Sequence, residues 1–384
     1  MKRYRVTCLT PTLVGDGQKL APIDYMVWRD HVNVLDQNRI FRLLARGPRL
    51  DSYLSQIRRA EKLDFASWGG YAQNFAARRI PFDDPAAASA YERARAEDLF
   101  VPTFATRNGA PYLPATAIKG PLRTALALTR VNDHMLRELE QRMGEDRPPR
   151  YPAESVEEAA LGASRVSRTR SFRVADSEPI ASGGTKVYLL RTATLVARGQ
   201  KLELGWKMSP RGTVEGRRAQ DATPTLAEMA SPGSVFEGTW SRSEFLSSPA
   251  VLRQFRWKEA PGAAEFAAAA NNSAEALLKL QAEFAQSAGL PAVEAGVQGL
   301  VKELEQAQAR AGSCLLCVGW GGGLLSKSVL LRGGTPLFSQ VLRQHPLYGR
   351  SVQTGLPFPK TRRVVFSQQG PSSLPGWVRL DLES

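Results

Sequence analysis

The sequence predicts an α+β protein. Short runs rich in β-branched and aromatic residues, such as 2–9 and 186–196, occur between longer segments whose apolar residues recur at helical spacing, such as 116–130. Strands and helices mixed without regular βα alternation are typical of α+β rather than α/β architecture. The chain has 384 residues, 43% of them hydrophobic. That is enough for one large domain or two ordinary ones, each with a real core.

The first part of the chain predicts a strand, a loop and a hairpin. Residues 2–9 favour a strand, which Thr10-Pro11 ends, and a loop containing Gly15-Asp16-Gly17 follows. Residues 23–28 and 31–35 are two further strand-like runs joined by a turn at Arg29-Asp30. Residues 36–77 predict mainly helix.

The middle of the chain predicts one strong helix at 116–130, whose apolar residues form one face. Residues 144–168 are polar and rich in Pro and Arg, which indicates a loop. Further strands are expected at 172–175, 186–196, 201–207 and 234–240.

The last part of the chain predicts helices followed by a glycine-rich turn. Residues 243–310 are rich in Ala, Glu and Gln with helical period, and a buried strand at 314–318 runs into the glycines at 319–323. Two late strands, 363–366 and 377–380, follow. We therefore expect three segments: 1–242, a core with inserted helices and loops; 243–312, a helical subdomain; and 313–384, which completes the core.

Charge indicates a polyanionic partner. Lys and Arg number 51 against 37 Asp and Glu, which gives a net charge of +14 and a pI near 10.0. The alternative is a basic enzyme whose charge confers only solubility. No apolar run approaches the roughly 20 residues that span a bilayer, and the charged N-terminus lacks a signal-peptide pattern. With three cysteines in the chain, we expect a cytoplasmic protein that does not bind membranes.

The helix at 116–130 is the strongest candidate for a nucleic-acid contact. Lys119, Arg123 and Arg130 lie within about 40° of one another at 100° per residue. Lys119 is expected in the first turn, where free N–H groups and the helix dipole favour a phosphate. The alternative is a solvated basic edge of an amphipathic helix.

The glycines at 319–323 predict a loop that a ligand backbone could approach closely. Gly319, Gly321, Gly322 and Gly323, followed by Lys327, could form an anion nest for RNA phosphates. Ser326 occupies the position where a nucleotide-binding P-loop has glycine, so ATP hydrolysis is not expected. A tight structural turn is the alternative. Gly15 and Gly17 of the first loop are further candidate RNA contacts.

Two arginine-rich clusters are weaker candidates. Arg165, Arg168, Arg170 and Arg173 surround a loop-to-strand transition, and Arg168, Arg170 and Phe172 would share a strand face suited to phosphate pairing and base stacking. Lys360 and Arg362 belong to a similar cluster at 360–363. Either cluster could instead be a solvated edge that opposes aggregation.

Catalytic, metal and cofactor signals are weak. His31, His134 and His345 show no local partner for acid–base work. Asp16 and Asp176 fit turn-forming or capping roles better than metal binding. Cys314 and Cys317 have metal-ligand spacing, but no second ligand pair lies near them in the sequence. We expect no catalytic residue, no metal and no cofactor.

Four stretches of the chain, in this order, carry a resemblance to a known family. They are 9–17 with 23–25; 112–125; 172–177; and 319–327 with 359–362 and 376–378. Together they resemble the RAMP superfamily of CRISPR proteins, and within it the family of fifth subunits of the type III-A (Csm) effector complex. The Lys-Gly-x-x-Arg pattern at 119–123 is shared across RAMP proteins, whereas the Phe-Pro-Lys-Thr-Arg ending at 358–362, with the chain length, points to the fifth subunit. Ala115, Ala117 and Ala175 depart from the family pattern.

The resemblance implies a ferredoxin-like (RRM-like) core with inserted helical segments. It also implies a non-catalytic cap at the 3′ end of the CRISPR RNA (crRNA), with the backbone and small Csm subunits as partners. Target RNA would be met only indirectly, and host nucleases would be recruited for crRNA maturation. One alternative is a metal-independent CRISPR-RNA endoribonuclease with His31 or His134 as base. Another is a subunit that mainly contacts an acidic protein neighbour.

Overall fold

The computed structural model describes residues 1–45, 47, 49–59, 74–145, 147, 150–199, 201–208, 215–329, 336–345, 348–349, 352, 357–368 and 370–383. The strands are β1 Lys2–Cys8, β2 Lys19–Leu20, β3 Tyr25–Trp28, β4 His31–Leu35, β5 Ala76–Pro81, β6 Val101–Pro102, β7 Thr106–Arg107, β8 Ala110–Pro111, β9 Phe172–Val174, β10 Thr185–Arg198, β11 Lys201–Lys207, β12 Glu215–Gly216, β13 Thr225–Ala230, β14 Val235–Arg242, β15 Ser313–Cys317, β16 Thr361–Ser367, β17 Gly370–Ser373 and β18 Trp377–Leu382. The helices are α1 Gln37–Leu44, α2 Leu50–Arg59, α3 Pro85–Arg93, α4 Ala115–Leu128, α5 Asp133–Met143, α6 Pro152–Leu161, α7 Pro249–Gln254, α8 Ala263–Ser287, α9 Pro291–Gln308 and α10 Pro336–Gln344.

The first large sheet joins both ends of the chain. Its antiparallel order is β15-β18-β1-β14-β9, so the N-terminal strand lies between β14 and the C-terminal strand. Tyr4 and Val6 of β1 point into the core, as alternate residues of a half-buried strand must. The proposed division at residues 242 and 312 stays a prediction.

The second large sheet is built on the long strand β10. The order is β12-β11-β10-β16-β17, and β13 pairs with the first half of β10. Val187 and Leu189 face one core cluster while Tyr188 and Leu190 face another, so the strand is buried on both sides. A smaller sheet, β3-β4-β5, carries the predicted hairpin.

The long helix α8 covers the edge strand β15. Its buried Asn271 donates from Nδ2 to the Ser313 carbonyl (3.0 Å) and accepts from the Leu315 N–H (3.1 Å). These bonds satisfy backbone groups that an edge strand leaves unpaired. Among the described helices, none is both long and apolar enough to cross a bilayer.

The α+β prediction is confirmed, with three local corrections. The predicted loop at 144–168 contains the helix α6, because Pro152 is favoured at a first helical position and Val156, Ala160 and Leu161 are buried. The strand β13 at 225–230 was not predicted. Of the helical prediction for 36–77, α1 and α2 are present, residues 76–77 belong to β5, and 60–73 lie outside the described residues.

Candidate nucleic-acid interface

Two glycine loops meet at one end of the strands of the first sheet: the loop after β1, with Gly15 and Gly17, and the loop after β15, with the glycines at 319–323. Strands β1 and β15 are each antiparallel to β18, so they run in the same direction and the loops that follow them leave at the same end of the sheet. Trp320 N–H donates to the Leu13 carbonyl at 2.8 Å. Gly319 has φ +69°, and a Cβ there would lie 2.0 Å from the Leu13 oxygen. Only glycine permits this approach.

The first turn of α4 lies against the same loops. Pro114 precedes the helix, and the Asp176 carboxylate accepts from the Ala115 N–H at 2.8 Å. Arg107 holds Asp176 by an ion pair of 3.0 Å. Asp176 is therefore a helix cap, as its sequence context favoured.

A groove of about 690 Å³ separates α4 from the two glycine loops. We call it the inter-loop groove. Its lining includes Gly15, Gly17, Lys19, Gln18, Thr103, Thr116, Gly120, Arg123, Thr124, Gly319, Trp320, Ser326 and Lys327. Among the described residues of this lining there is no carboxylate and no histidine. The groove thus combines three cations with hydroxyl groups and an aromatic ring, which suits a phosphate-bearing strand.

Of the three cations that line the groove, Lys19, Arg123 and Lys327, the first two make only weak contacts with protein partners. Arg123 pairs with Glu157 of α6 at 2.7 Å, but its side chain is 44% exposed. Lys19 lies 4.4 Å from the centre of the Phe100 ring, a cation–π contact at the mouth of the groove. An exposed ion pair is worth little in water, so Arg123 can exchange Glu157 for a phosphate at small cost.

Lys119, Arg170 and Arg173 form a second group of positive charges, the three-cation cluster. Burial and then the charges of Arg170 and Arg173 lower the pKa of Lys119. Within the part of the chain that is described, no carboxylate pairs with any of the three. Lys119 lies about 40° around α4 from Arg123, so the cluster borders the inter-loop groove. Like charges held together in this way favour an anion between them.

The arginine-rich segment differs from the sequence prediction. Residues Arg168–Ser171 form a 3-10 turn rather than a strand, and the Phe172 ring is fully buried against Trp240 and Phe266. The predicted base-stacking role of Phe172 is therefore wrong. The turn forms because the Ser171 hydroxyl donates to the Arg168 carbonyl at 2.8 Å.

The remaining arginines of this region have other partners. Helix α4 ends at Leu128, so Arg130 lies outside it, and Arg130 donates to Glu265 at 2.8 Å. Arg168 lies near the same pair. Arg165 contributes its carbonyl as an acceptor for Arg170. Because α4 begins at Ala115, Lys119 starts the second turn rather than occupying the first.

The basic side chains of the cluster at 360–363 mostly bond other groups of the protein. Lys360 pairs with Glu215 at 3.1 Å. Arg362 donates to Gln281 and to the Pro359 and Thr361 carbonyls, and burial lowers its pKa to about 10. These bonds leave Arg362 little capacity for an RNA phosphate.

Of the nucleophile and base candidates, His31 and Asp16 bond within local turns, with Asp16 between the groove residues Gly15 and Gly17, and Cys317 is buried. His31 Nδ1 lies 2.7 Å from Asp30 in the hairpin turn, and Asp16 accepts from the Gln18 N–H in a local turn. Cys317 reaches the groove, but burial raises its pKa to about 12, so the thiolate is not available at neutral pH. Among the described residues, no group of three His, Cys, Asp or Glu is arranged to hold a metal.

Two groove residues and one neighbour of the groove were not predicted from the sequence. Lys19 and Trp320 line the groove beside the two glycine loops, and Phe100, which is 38% exposed, contacts Lys19. The sequence positions of Lys19 and Trp320, next to the two glycine loops, are the feature that could have identified them as groove residues. Phe100 lies over 80 residues away in the chain from Lys19, and only the short β2–β6 pairing brings it there.

Comparison with known proteins agrees with this geometry. A model of the RAMP superfamily matches residues 5–326, and no curated protein sequence matches the chain. A chain of the Csm–crRNA–target RNA ternary complex of a type III-A CRISPR–Cas system has a TM-score of 0.67 at 18% identity, covering 100% of both chains. Csm5 of T. onnurineus has a TM-score of 0.59 at 14% identity, covering 97% of this chain and 99% of that one. The structural likeness is one of fold, and since the family model spans most of the chain, this protein belongs to the RAMP superfamily.

Proposed function

We propose that this protein is a non-catalytic RNA-binding subunit that caps the 3′ end of the crRNA in a type III-A (Csm) CRISPR ribonucleoprotein. The observation that carries the proposal is the inter-loop groove. Its described lining contains Lys19, Arg123 and Lys327 and no carboxylate, and the three-cation cluster borders it. The fold shared with Csm5 and with a chain of a crRNA-bound complex supports the same role.

The groove suits backbone contact rather than base reading. Arg123 and Lys327 would hold successive phosphates, and Trp320 offers a ring for stacking. Charged contacts to phosphates position a nucleic acid without carrying sequence information. Binding of this kind serves a subunit that must hold many different guide sequences.

The groove lining also supports binding without cleavage. Metal-independent RNA cleavage needs a general base close to a ribose hydroxyl, and the groove residues that the structure describes include no histidine and no carboxylate. His31 is engaged with Asp30 in the hairpin turn. We therefore favour the cap over the endoribonuclease alternative.

The proposal implies partners beyond RNA. As a cap, the chain would contact the backbone and small subunits of the Csm complex, meet target RNA only indirectly, and recruit host nucleases for crRNA maturation. A net charge of +14 suits a place beside the guide backbone.

The test is binding of a labelled single-stranded crRNA by purified protein across a salt series. Replacing Lys119 and Arg123 together by Ala should weaken binding and flatten the salt dependence, by about 0.7 in the log–log slope for each lost phosphate contact. The RNA is analysed for cleavage in the same samples.

A matched control is the pair Lys302→Ala and Arg310→Ala, which removes one exposed Lys of α9 and one exposed Arg just after it. The control should keep the wild-type affinity and slope. Equal losses in the two double variants would show that net charge alone drives binding. Cutting of the RNA at a defined position would overturn the non-catalytic assignment.

A further inference from the structure

A second cavity lies beyond the glycine loop, separate from the inter-loop groove. It has a volume of about 350 Å³ and is bounded by Gly321, Gly322 and Gly323 on one side and by the second sheet on the other. Four threonines line it: Thr192, Thr223, Thr225 and Thr361. The part of this cavity's lining that the structure describes also contains no carboxylate and no histidine.

The described cations that line this cavity are Lys207, Arg362 and Arg363, and Arg363 is the exposed one. Its guanidinium lies 4.2 Å from the centre of the Trp320 ring, so the Arg363–Trp320 contact forms the wall between the cavity and the groove. The side chain reaches solvent, yet the surrounding protein lowers its pKa by desolvation. Within the described chain, no carboxylate pairs with Arg363, whereas its neighbours Lys207 and Lys360 share Glu215. An exposed cation that borders a cavity and has no counter-ion favours an anionic ligand there.

The uncharged residues of the lining suit the uncharged part of such a ligand. Thr192 lies directly opposite Arg363 in the β10–β16 pairing, so both side chains face the same side of the sheet. Thr225 pairs with Leu190, two residues along β10, and faces that side too. Hydroxyl groups that both donate and accept suit a sugar or the edge of a base. Gly323 leaves open space where a side chain would stand.

We propose that this cavity binds one nucleoside monophosphate unit. Its phosphate would pair with Arg363 beside Gly323, and its sugar and base would lie against Thr192, Thr225 and the Trp320–Arg363 wall. The volume is within the range of small-ligand sites, roughly 300–1,000 Å³. The unit could be a free mononucleotide or the terminal nucleotide of an RNA. The inference does not depend on RNA lying in the inter-loop groove.

The test is isothermal titration of the purified full-length chain with AMP, CMP, GMP and UMP. At least one mononucleotide should bind saturably, and the matching unphosphorylated nucleoside should bind at least tenfold more weakly. Arg363→Gln should weaken mononucleotide binding at least tenfold. The control Arg5→Gln, which removes an exposed arginine paired with Glu237, should not change it.

Further variants keep the test decisive. If Arg363→Gln does not fold, Thr192→Val, which keeps the side-chain shape and removes the hydroxyl, should weaken binding at least threefold. The Lys119→Ala and Arg123→Ala double variant should bind mononucleotides normally, which separates this inference from the proposed RNA function.

Competition by RNA with a terminal phosphate, but not by the same RNA without one, would identify an RNA end as the source of the unit. Absence of such competition would identify a free nucleotide. No saturable binding of any mononucleotide, or full binding in folded Arg363→Gln, would overturn the proposal.

Discussion

At the scale of single residues, Lys119 shows how a site prepared for an anion destabilises the protein that carries it. Burial, followed by the charges of Arg170 and Arg173, lowers its pKa from the ordinary 10.5. A lysine whose folded pKa lies below its unfolded value holds its proton more weakly in the folded state. Its charge therefore costs stability at neutral pH, and this cost disappears as the pH rises from the folded pKa through 10.5.

We accordingly expect Lys119→Met to be more stable than the wild type at pH 7.5, because methionine keeps the apolar stem and removes the charge. The advantage should shrink as the pH approaches 10.5. Urea unfolding of both proteins at pH 7.5 and at pH 10 measures it. A variant that is less stable at pH 7.5, or whose difference from the wild type grows with pH, would contradict this account of Lys119.

Glu228 is a residue whose role the sequence could not reveal. It is fully buried in β13, where it pairs with Arg78 at 2.6 Å and accepts from the Thr185 hydroxyl at 2.8 Å and the Phe104 N–H at 3.3 Å. A glutamate within a short apolar run argues against a buried strand, and its partner Arg78 is 150 residues away. Only the folded chain brings the two together.

Glu228→Ala should lower the free energy of unfolding by about 3–5 kcal/mol, because it leaves Arg78 partly buried without its partner. Urea unfolding measures the loss. Glu138→Ala provides the control, since Glu138 pairs with Arg142 four residues along the exposed face of α5 and should cost less than about 0.5 kcal/mol. Equal losses in the two variants would mean that the Glu228 network contributes no more than a surface pair.

At the scale of elements, the glycine loop after β15 combines a structural and an open part. Gly319 and Gly323 both have positive φ, at +69° and +78°. A Cβ on Gly319 would collide with the Leu13 carbonyl, whereas one on Gly323 meets nothing within 4 Å. The sequence predicted the loop, but it could not tell which glycines pack against the protein and which face a ligand.

Gly323→Ala should cost about 1–2 kcal/mol, the strain of a left-handed alanine. Gly319→Ala has the same strain and the collision with Leu13 in addition, so it should cost distinctly more. Chemical unfolding of the two variants compares them directly. Equal losses would show that the contact between the two glycine loops does not support the fold.

The errors in element prediction have specific causes. Helix α6 lies within a segment whose prolines and arginines indicate a loop, yet its own ten residues are mainly Ala, Glu and other helix formers after Pro152. Arg168 and Arg170 were predicted to share a strand face with Phe172 at a loop-to-strand transition. The two arginines instead lie in a 3-10 turn, because the Ser171 hydroxyl bonds the Arg168 carbonyl.

At the scale of the whole molecule, the site depends on pairings between distant parts of the chain. Strand β1 lies between β14 and β18, and β15 joins the same sheet through β18, so the loops after β1 and β15 emerge together. The sequence predicted the individual strands and the motifs. It did not give their order in the sheet, because strand order depends on long-range packing that no local pattern records.

The same packing explains which predicted basic residues belong to one surface. Lys119 comes together with Arg170 and Arg173, although the sequence placed them in separate clusters. Arg130 and Arg168 lie near Glu265, and Arg362 bonds Gln281. Net charge predicts a polyanionic partner, and this prediction stays a proposal. The fold adds which of the predicted basic residues lie at the inter-loop groove and its border.

The most direct test of this account is photo-crosslinking of the protein to a crRNA that carries 4-thiouridine, with the crosslinked residues identified by mass spectrometry. We predict that crosslinks concentrate on the inter-loop groove, at Trp320 and the residues around Gly15 and Gly17, and that Lys119→Ala combined with Arg123→Ala reduces them. Crosslinks confined to surfaces away from the groove, such as the exposed side of α9, and unchanged in that double variant would contradict the account.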